Sequence, residues 1–110
     1  MTRTTMSSEL LSLVAERFKA LAEPARLEIL NALREGELTV SDLVARTGLG
    51  QANVSKHLQL LLAHGFLSRR KEGLFSYYAL ADRDVFKLCD LMCGRLASEA
   101  AVRRKVVVTR

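Results

Sequence analysis

Residues 39–62, TVSDLVARTGLGQANVSKHLQLLL, constrain this chain more than any other stretch. Two short helical patterns lie in it, joined by the turn Thr47-Gly48-Leu49-Gly50. Thr39 with Asp42 three positions on is a capping-box-like start, because both side chains can reach free backbone N–H groups of the first turn. Val40, Leu43 and Val44 then give the first helix one apolar stripe. Gly48, a residue that tolerates φ > 0, ends it.

The second helix is predicted over residues 51–64. At 100° per residue Val54, Leu58 and Leu61 fall on one side, flanked by His57 and Leu62. Ala52, Lys56, Gln59 and Ala63 fall on the other, with Asn53 and Ser55 at its edges. The outer face at the helix start is thus Gln51, Ala52, Asn53, Ser55 and Lys56. These side chains are small, uncharged or basic, rich in donors and acceptors, and free of carboxylates. A helix that enters the major groove and hydrogen-bonds base edges beside phosphates needs such a face. The plainer alternative is a solvated helix face, although such faces usually mix Glu with Lys. Base readout is assigned to Gln51, Ser55 and Lys56, with Asn53 and Gln59 on the same surface.

Downstream, residues 66–70 and 74–80 read as two strands, with Lys71-Glu72-Gly73 as the hairpin turn between them. The hairpin carries Arg69, Arg70 and Lys71 against a single Glu72. Three cations in a row directly after a groove-reading helix suit contacts to phosphates or the minor groove. A solvated turn is the alternative.

Upstream, a helix is predicted over residues 9–21, with Leu10, Leu13, Val14, Phe18 and Leu21 at helical spacing and Ser7 or Ser8 as its N-cap. Pro24 suits the first turn of a second helix that runs to Arg34 and is stopped by Gly36. Arg26 in that first turn could meet a phosphate or pair with Glu23 or Glu28. A final helix, capped by Asp82 or Asp84, is expected to run to Ala101. Val85, Phe86, Leu88, Cys89, Met92, Cys93, Leu96 and Ala100 give it a broad apolar face. Residues 1–8 read as a small, polar, mobile N-terminus and 102–110 as a basic C-terminal tail, leaving 9–101 as one DNA-binding and dimerisation domain.

The chain has 110 residues, 49% of them hydrophobic, which is more than so small a domain hides easily. The first and last helices show the most apolar surface, notably Leu10, Leu13, Phe18, Val85, Met92 and Leu96, so they are the expected dimer interface. A net charge of +5 suits an anionic partner. No apolar run approaches the ~20 residues of a membrane span, and no signal-peptide core follows the start, so no membrane partner is expected. The only two cysteines lie close together, which is not a secreted disulfide framework and points to a reducing cytoplasm. No phosphate-cradling glycine loop is present and neither cysteine has a histidine nearby in sequence, so an enzyme is not expected. His57 and His64, seven positions apart, are ~10 Å apart along a helix, too far to share one ion.

Residues Phe18-Lys19-Ala20-Leu21-Ala22-Glu23-Pro24-Ala25-Arg26-Leu27-Glu28-Ile29-Leu30 resemble the ALADPTRLxIL signature of the ArsR/SmtB winged-helix repressors. Leu49-Gly50-Gln51-Ala52-Asn53-Val54-Ser55-Lys56-His57-Leu58 resembles their recognition helix. Gly65-Phe66-Leu67 and the basic hairpin resemble their wing. The resemblance covers roughly residues 10–96. It implies a mainly α fold with a small β-hairpin, a winged helix-turn-helix of order α-α-α-α-β-β-α, dimeric through its first and last helices. It also implies a cytoplasmic homodimer that binds double-stranded DNA at an inverted-repeat operator and leaves it when an inducer binds. A sequence-independent architectural DNA binder is the competing function.

The sequence departs from the family's sensor sites. Metal-sensing members often carry cysteines in an ELCVCDL stretch, where Thr39 and Ser41 stand here, and hydroxyls are poor soft-metal ligands. Other members bind zinc through Asp and His of the last helix, which holds no histidine in this chain. Persulfide sensors pair an early cysteine with one on the last helix, and the early one is missing. Cys89 and Cys93 are left, four apart on one helical face. They are either small buried hydrophobes or a metal or redox site for a soft metal or metalloid ion. Their Cβ atoms, ~5–6 Å apart, stand too far for an unstrained disulfide.

Overall fold

The computed structural model describes residues 5–103. Helix α1, Ser8–Leu21, starts at Ser7, whose Oγ accepts from the Leu10 N–H at 3.1 Å. Helix α2, Pro24–Ala32, has Pro at its first turn. It tightens into a 3-10 turn, Leu33–Glu35, where the sequence had suggested continuous helix to Arg34. A two-residue strand β1, Leu38–Thr39, then leads into α3, Val40–Thr47, and α4, Gln51–Ala63. Strands β2, Leu67–Glu72, and β3, Phe75–Leu80, precede α5, Val85–Arg103. Helix α5 passes the expected stop at Ala101. Residues 1–4 of the predicted mobile N-terminus and 104–110 of the predicted tail lie outside the described residues.

Both boundaries of α3 follow from local chemistry. At its start, Thr39 Oγ1 accepts from the Asp42 N–H at 3.1 Å, and Asp42 Oδ2 accepts from the Thr39 N–H at 3.0 Å, closing a capping box. At its end, Gly48 takes φ 77°, and its N–H bonds back to the Val44 carbonyl at 2.9 Å. Thr47 Oγ1 donates to the Leu43 carbonyl at 2.7 Å and accepts from the Leu49 N–H at 3.2 Å, so one hydroxyl pins the turn from both sides.

The core lies where α2, α3 and α4 meet. Ile29, Leu30, Leu33, Leu43, Val54, Leu58 and Leu61 are fully buried, and each such side chain stabilises by roughly 1.5–3 kcal/mol. Ala20, Phe66, Leu67, Tyr78, Val85 and Phe86 close it from α1, the bend before β2, the sheet and the first turn of α5. Val85, 3% exposed, is therefore a core residue of the protomer, not part of an outward face as expected. The reason is that the first turn of α5 lies against the body, whereas Leu91, Met92 and Leu96 further along the helix are exposed. Leu10, Leu13, Phe18, Leu88, Leu91, Met92 and Leu96 all remain exposed on α1 and α5.

The sheet is three-stranded and antiparallel, in the order β1-β3-β2. Strand β1 pairs Leu38 with Tyr78 and Thr39 with Tyr77; so short a strand left no periodic pattern to detect. The hairpin turn is Gly73-Leu74, with Gly73 at φ 62°, rather than Lys71-Glu72-Gly73. A two-residue turn with a left-handed first position matches strand twist better than a longer one, and glycine supplies it. Lys71 and Glu72 are thereby drawn into β2, opposite Ser76 and Phe75.

If the capping box sets the start of α3, Thr39→Ala should lower unfolding stability by about 1 kcal/mol. Urea denaturation at pH 7 would measure it, and a loss below a few tenths would contradict the assignment.

Candidate nucleic-acid interface

Burial of Val54, Leu58 and Leu61 fixes the rotation of α4 about its axis, and so fixes what it shows to solvent. Gln51, Ala52, Asn53, Lys56 and Gln59 are exposed and Ser55 is half-buried. Of the five sequence-assigned positions, Asn53, Lys56 and Gln59 face away from the core, Ser55 lies at the edge, and Gln51 is open because it begins the helix. Gly50 caps α4 without a side chain, and no acidic residue lies in its first turn. The first N–H groups of α4 therefore face outward without a protein acceptor from the cap, next to Gln51, an arrangement that suits a phosphate oxygen.

The inner edge of α4 is held by Arg26, whose side chain is only 13% exposed. Its Nε donates to His57 Nδ1 at 3.2 Å, and its Nη1 donates to the Lys19 and Ala20 carbonyls at 3.1 and 3.3 Å. Glu23 stands 3.7 Å from Arg26 Nη2 and 3.8 Å from His57 Nε2. Of the two alternatives left by sequence, the structure gives the pairing one, with Glu23. Arg26 adds a donor to the carbonyls at the end of α1, where the Lys19 carbonyl also accepts from the Ala22 N–H, and joins α1, α2 and α4 in one cluster. His57 is consumed in that cluster, while His64 Nδ1 lies 3.0 Å from the Leu60 carbonyl at the helix end, so the two histidines serve separate structural tasks.

Strand alternation sorts the hairpin's three cations onto two faces. Arg69 and Lys71 share a face with buried Leu67 and, across the ladder, with buried Tyr78. Both are exposed, and neither has an ion-pair partner among the described residues. Arg70 points to the other face. Its Nε donates to both Glu37 oxygens at 3.1 and 3.0 Å and its Nη2 to Glu37 Oε1. Nη1 donates to Glu72 at 2.7 Å, and the guanidinium lies 4.5 Å from the Tyr77 ring centroid. Sequence grouped Arg70 with the DNA contacts; the structure separates it from Arg69 and Lys71. Glu37 was missed as a partner because it lies 33 positions away, with no local pattern to link the two.

Cys89 is half-buried and Cys93 exposed, on the same side of α5 as Leu88, Met92 and Leu96. These residues line an apolar groove with Phe18, Leu21 and Leu27. Burial pushes the Cys89 thiol above its ordinary pKa, against the opposing pull of Arg34. Lys87 does not lower it, being turned to Asp84 at 3.1 Å. Among the described residues no group of three or more His, Cys, Asp or Glu side chains could hold a metal. Two thiols are half of a tetrahedral soft-ion site, so one chain does not fit such an ion by itself.

The profile for "Bacterial regulatory protein, arsR family" matches residues 23–69. The chain is 39% identical over 71% of its length to the arsenical resistance operon repressor of Bacillus subtilis, of which the match covers 75%. The chain belongs to the ArsR family. It is also 39% identical, over 76% of its length, to a transcriptional repressor SmtB homologue of Synechocystis, of which it spans 63%. Among solved structures, Mycobacterium tuberculosis Rv0081 superposes with a TM-score of 0.77 at 35% identity, covering 88% of this chain and 98% of that one. A homodimeric winged helix-turn-helix DNA-binding domain from Mycobacterium bovis gives 0.71 at 31% identity, covering 97% and 100%. The match of family and fold gives the basic hairpin the position of an ArsR-family wing. No described helix is long and apolar enough to cross a membrane.

The hydrogen bond from Arg70 holds the Glu37 carboxyl below its ordinary pKa, against an opposing effect of desolvation and helped by the attraction of the Arg70 charge. A depressed pKa stabilises the fold above the unfolded value and loses that contribution as pH falls through the folded one. The Glu37–Arg70 pair should therefore survive through the ordinary carboxylate range and open only below it. Carboxyl-carbon NMR titration should place the Glu37 midpoint under that of an exposed glutamate; a midpoint at or above it would contradict the pairing.

Proposed function

We propose that this chain is a transcriptional repressor that binds an inverted-repeat operator as a homodimer, in the cytoplasm, with no catalytic role. One observation carries the reading. The exposed surface of α4 presents Gln51 at its N-terminal end and Asn53, Lys56 and Gln59 away from the core, with Ser55 half-buried at the edge and no carboxylate among them. Amides can pair with adenine, a lysine with guanine, and a hydroxyl with several base edges, at the reach of a helix seated in the major groove. Arg69 and Lys71 then meet phosphates from the unpaired face of the wing, positioning the helix without reading sequence. Relatives named as operon repressors support the regulatory role.

The dimer is supported by the unburied apolar faces. Leu13, Phe18, Leu91 and Met92 are 63%, 53%, 73% and 61% exposed, on the first and last helices. A soluble monomer rarely leaves so continuous an apolar surface in water. The homodimeric Mycobacterium bovis domain has the same fold. A two-fold axis through α1 and α5 would present two copies of α4, matching the symmetry of an inverted repeat.

Sequence-independent architectural binding would also use the positive charge, but it gives the amides of α4 no task. The two readings separate on single variants. Gln51→Ala should weaken operator binding by ~1–3 kcal/mol and leave random duplex nearly unchanged. Lys71→Ala should weaken both alike and reduce the salt slope by about one unit. Fluorescence anisotropy on the two duplexes at matched salt measures this, and equal losses for Gln51→Ala on both would overturn the helix assignment.

A further inference from the structure

Arg70 crosses the sheet. It stands on β2, lies over Tyr77 of the central strand β3, and reaches Glu37, the residue before β1. Two positions after Glu37, Thr39 closes the capping box that starts α3. The guanidinium therefore straps the outer strand of the wing to the beginning of the helix-turn-helix unit, along the back of the sheet. Its fork is matched to one carboxylate in a bidentate geometry, with a second carboxylate and an aromatic face completing the site. To reach a phosphate it would have to leave all three. With Glu37 and Glu72 drawn onto it, the hairpin's one carboxylate and the one before β1 are both held on the face away from Arg69 and Lys71.

We infer that Arg70 is a positioning residue, which braces the wing against the start of α3 so that Arg69 and Lys71 meet DNA at a fixed angle, and which makes no phosphate contact itself. This rests on the DNA-binding reading above. It also reverses the simple electrostatic expectation. Removing the Glu37 charge would tighten DNA binding if charge alone mattered, and it would release Arg70 to a phosphate.

Three variants of the full chain test it: Glu37→Ala, Arg70→Ala and Arg70→Lys. Each should bind operator more weakly than the wild type, by about threefold to fivefold as for loss of an exposed ion pair with good geometry. The slope of log affinity against log salt should stay at the wild-type value in each, since no phosphate contact is lost. Arg70→Lys should fail like Arg70→Ala, because a point charge cannot replace the fork and the stack. Amide hydrogen exchange of the free proteins should quicken in β2 and β3 and remain unchanged in α4. The proposal is overturned if Glu37→Ala binds as tightly as the wild type or tighter. It is equally overturned if Arg70→Ala lowers the salt slope by about one while Arg70→Lys restores it. If the wild type binds no duplex, the DNA-binding reading falls, and the exchange result alone decides the strap: unchanged exchange in β2 and β3 removes it.

Discussion

Burial of Val54, Leu58 and Leu61 under α2 and α3 is the constraint on which the rest depends. A helix has one rotation about its axis. Once three of its residues at spacings of four and three are locked into a close-packed core, every other residue's direction follows. Turning α4 by one residue would push Ser55 or Gln59 into the core, leave a polar group there unpaired and bring Val54, Leu58 and Leu61 out of it. The chemical face of Gln51, Asn53, Lys56 and Gln59 is thus a consequence of packing and needs no separate force to hold it. The Arg26–His57 bond reinforces the same setting from α2, and ties it to the end of α1.

The wing obeys a different rule. A two-stranded ribbon is marginal alone, and its side chains alternate between faces every residue. Here β1 adds a third strand, and Leu67 and Tyr78 anchor one face to the helices. The other face would be solvated and loosely held without the Arg70 strap. Moving the turn to Gly73-Leu74 matters for this reason, because it sets Arg69 and Lys71 in phase with Leu67 and puts Arg70 out of phase. Had Lys71 been a turn residue, Arg69 and Arg70 would still alternate, but Lys71 would not be held on the face of Arg69.

The helices and their order were legible because each has a long apolar period and a chemical stop: Ser7, Pro24, Thr39 and Gly48 all act as their residue types suggest. The outward face of α4 was legible for the same reason. What sequence did not reveal are features made by contacts distant along the chain. Strand β1 exists only because Leu38 and Thr39 find Tyr78 and Tyr77. Arg70 in a run of three cations reads as a phosphate ligand until Glu37 is brought beside it. Val85 has the composition of an interface residue, and only the docking of the first turn of α5 makes it core. Arg34 likewise meets Asp90, 56 positions on, at 2.6 Å while lying 4.0 Å from the Phe86 ring centroid, and no local pattern announces that brace between α5 and the 3-10 turn.

The central claim, two symmetry-related α4 helices in successive major grooves, is tested most directly by a hydroxyl-radical footprint. The DNA should be the tightest duplex recovered by selection from a random pool. Two protected patches on one side of the duplex are expected, centred about one helical turn or a multiple of it apart, ~10–10.5 base pairs per turn, and related by the dyad of an inverted repeat. Protection without a preferred sequence, spread evenly along the duplex, would contradict it, as would a single patch with no symmetric mate.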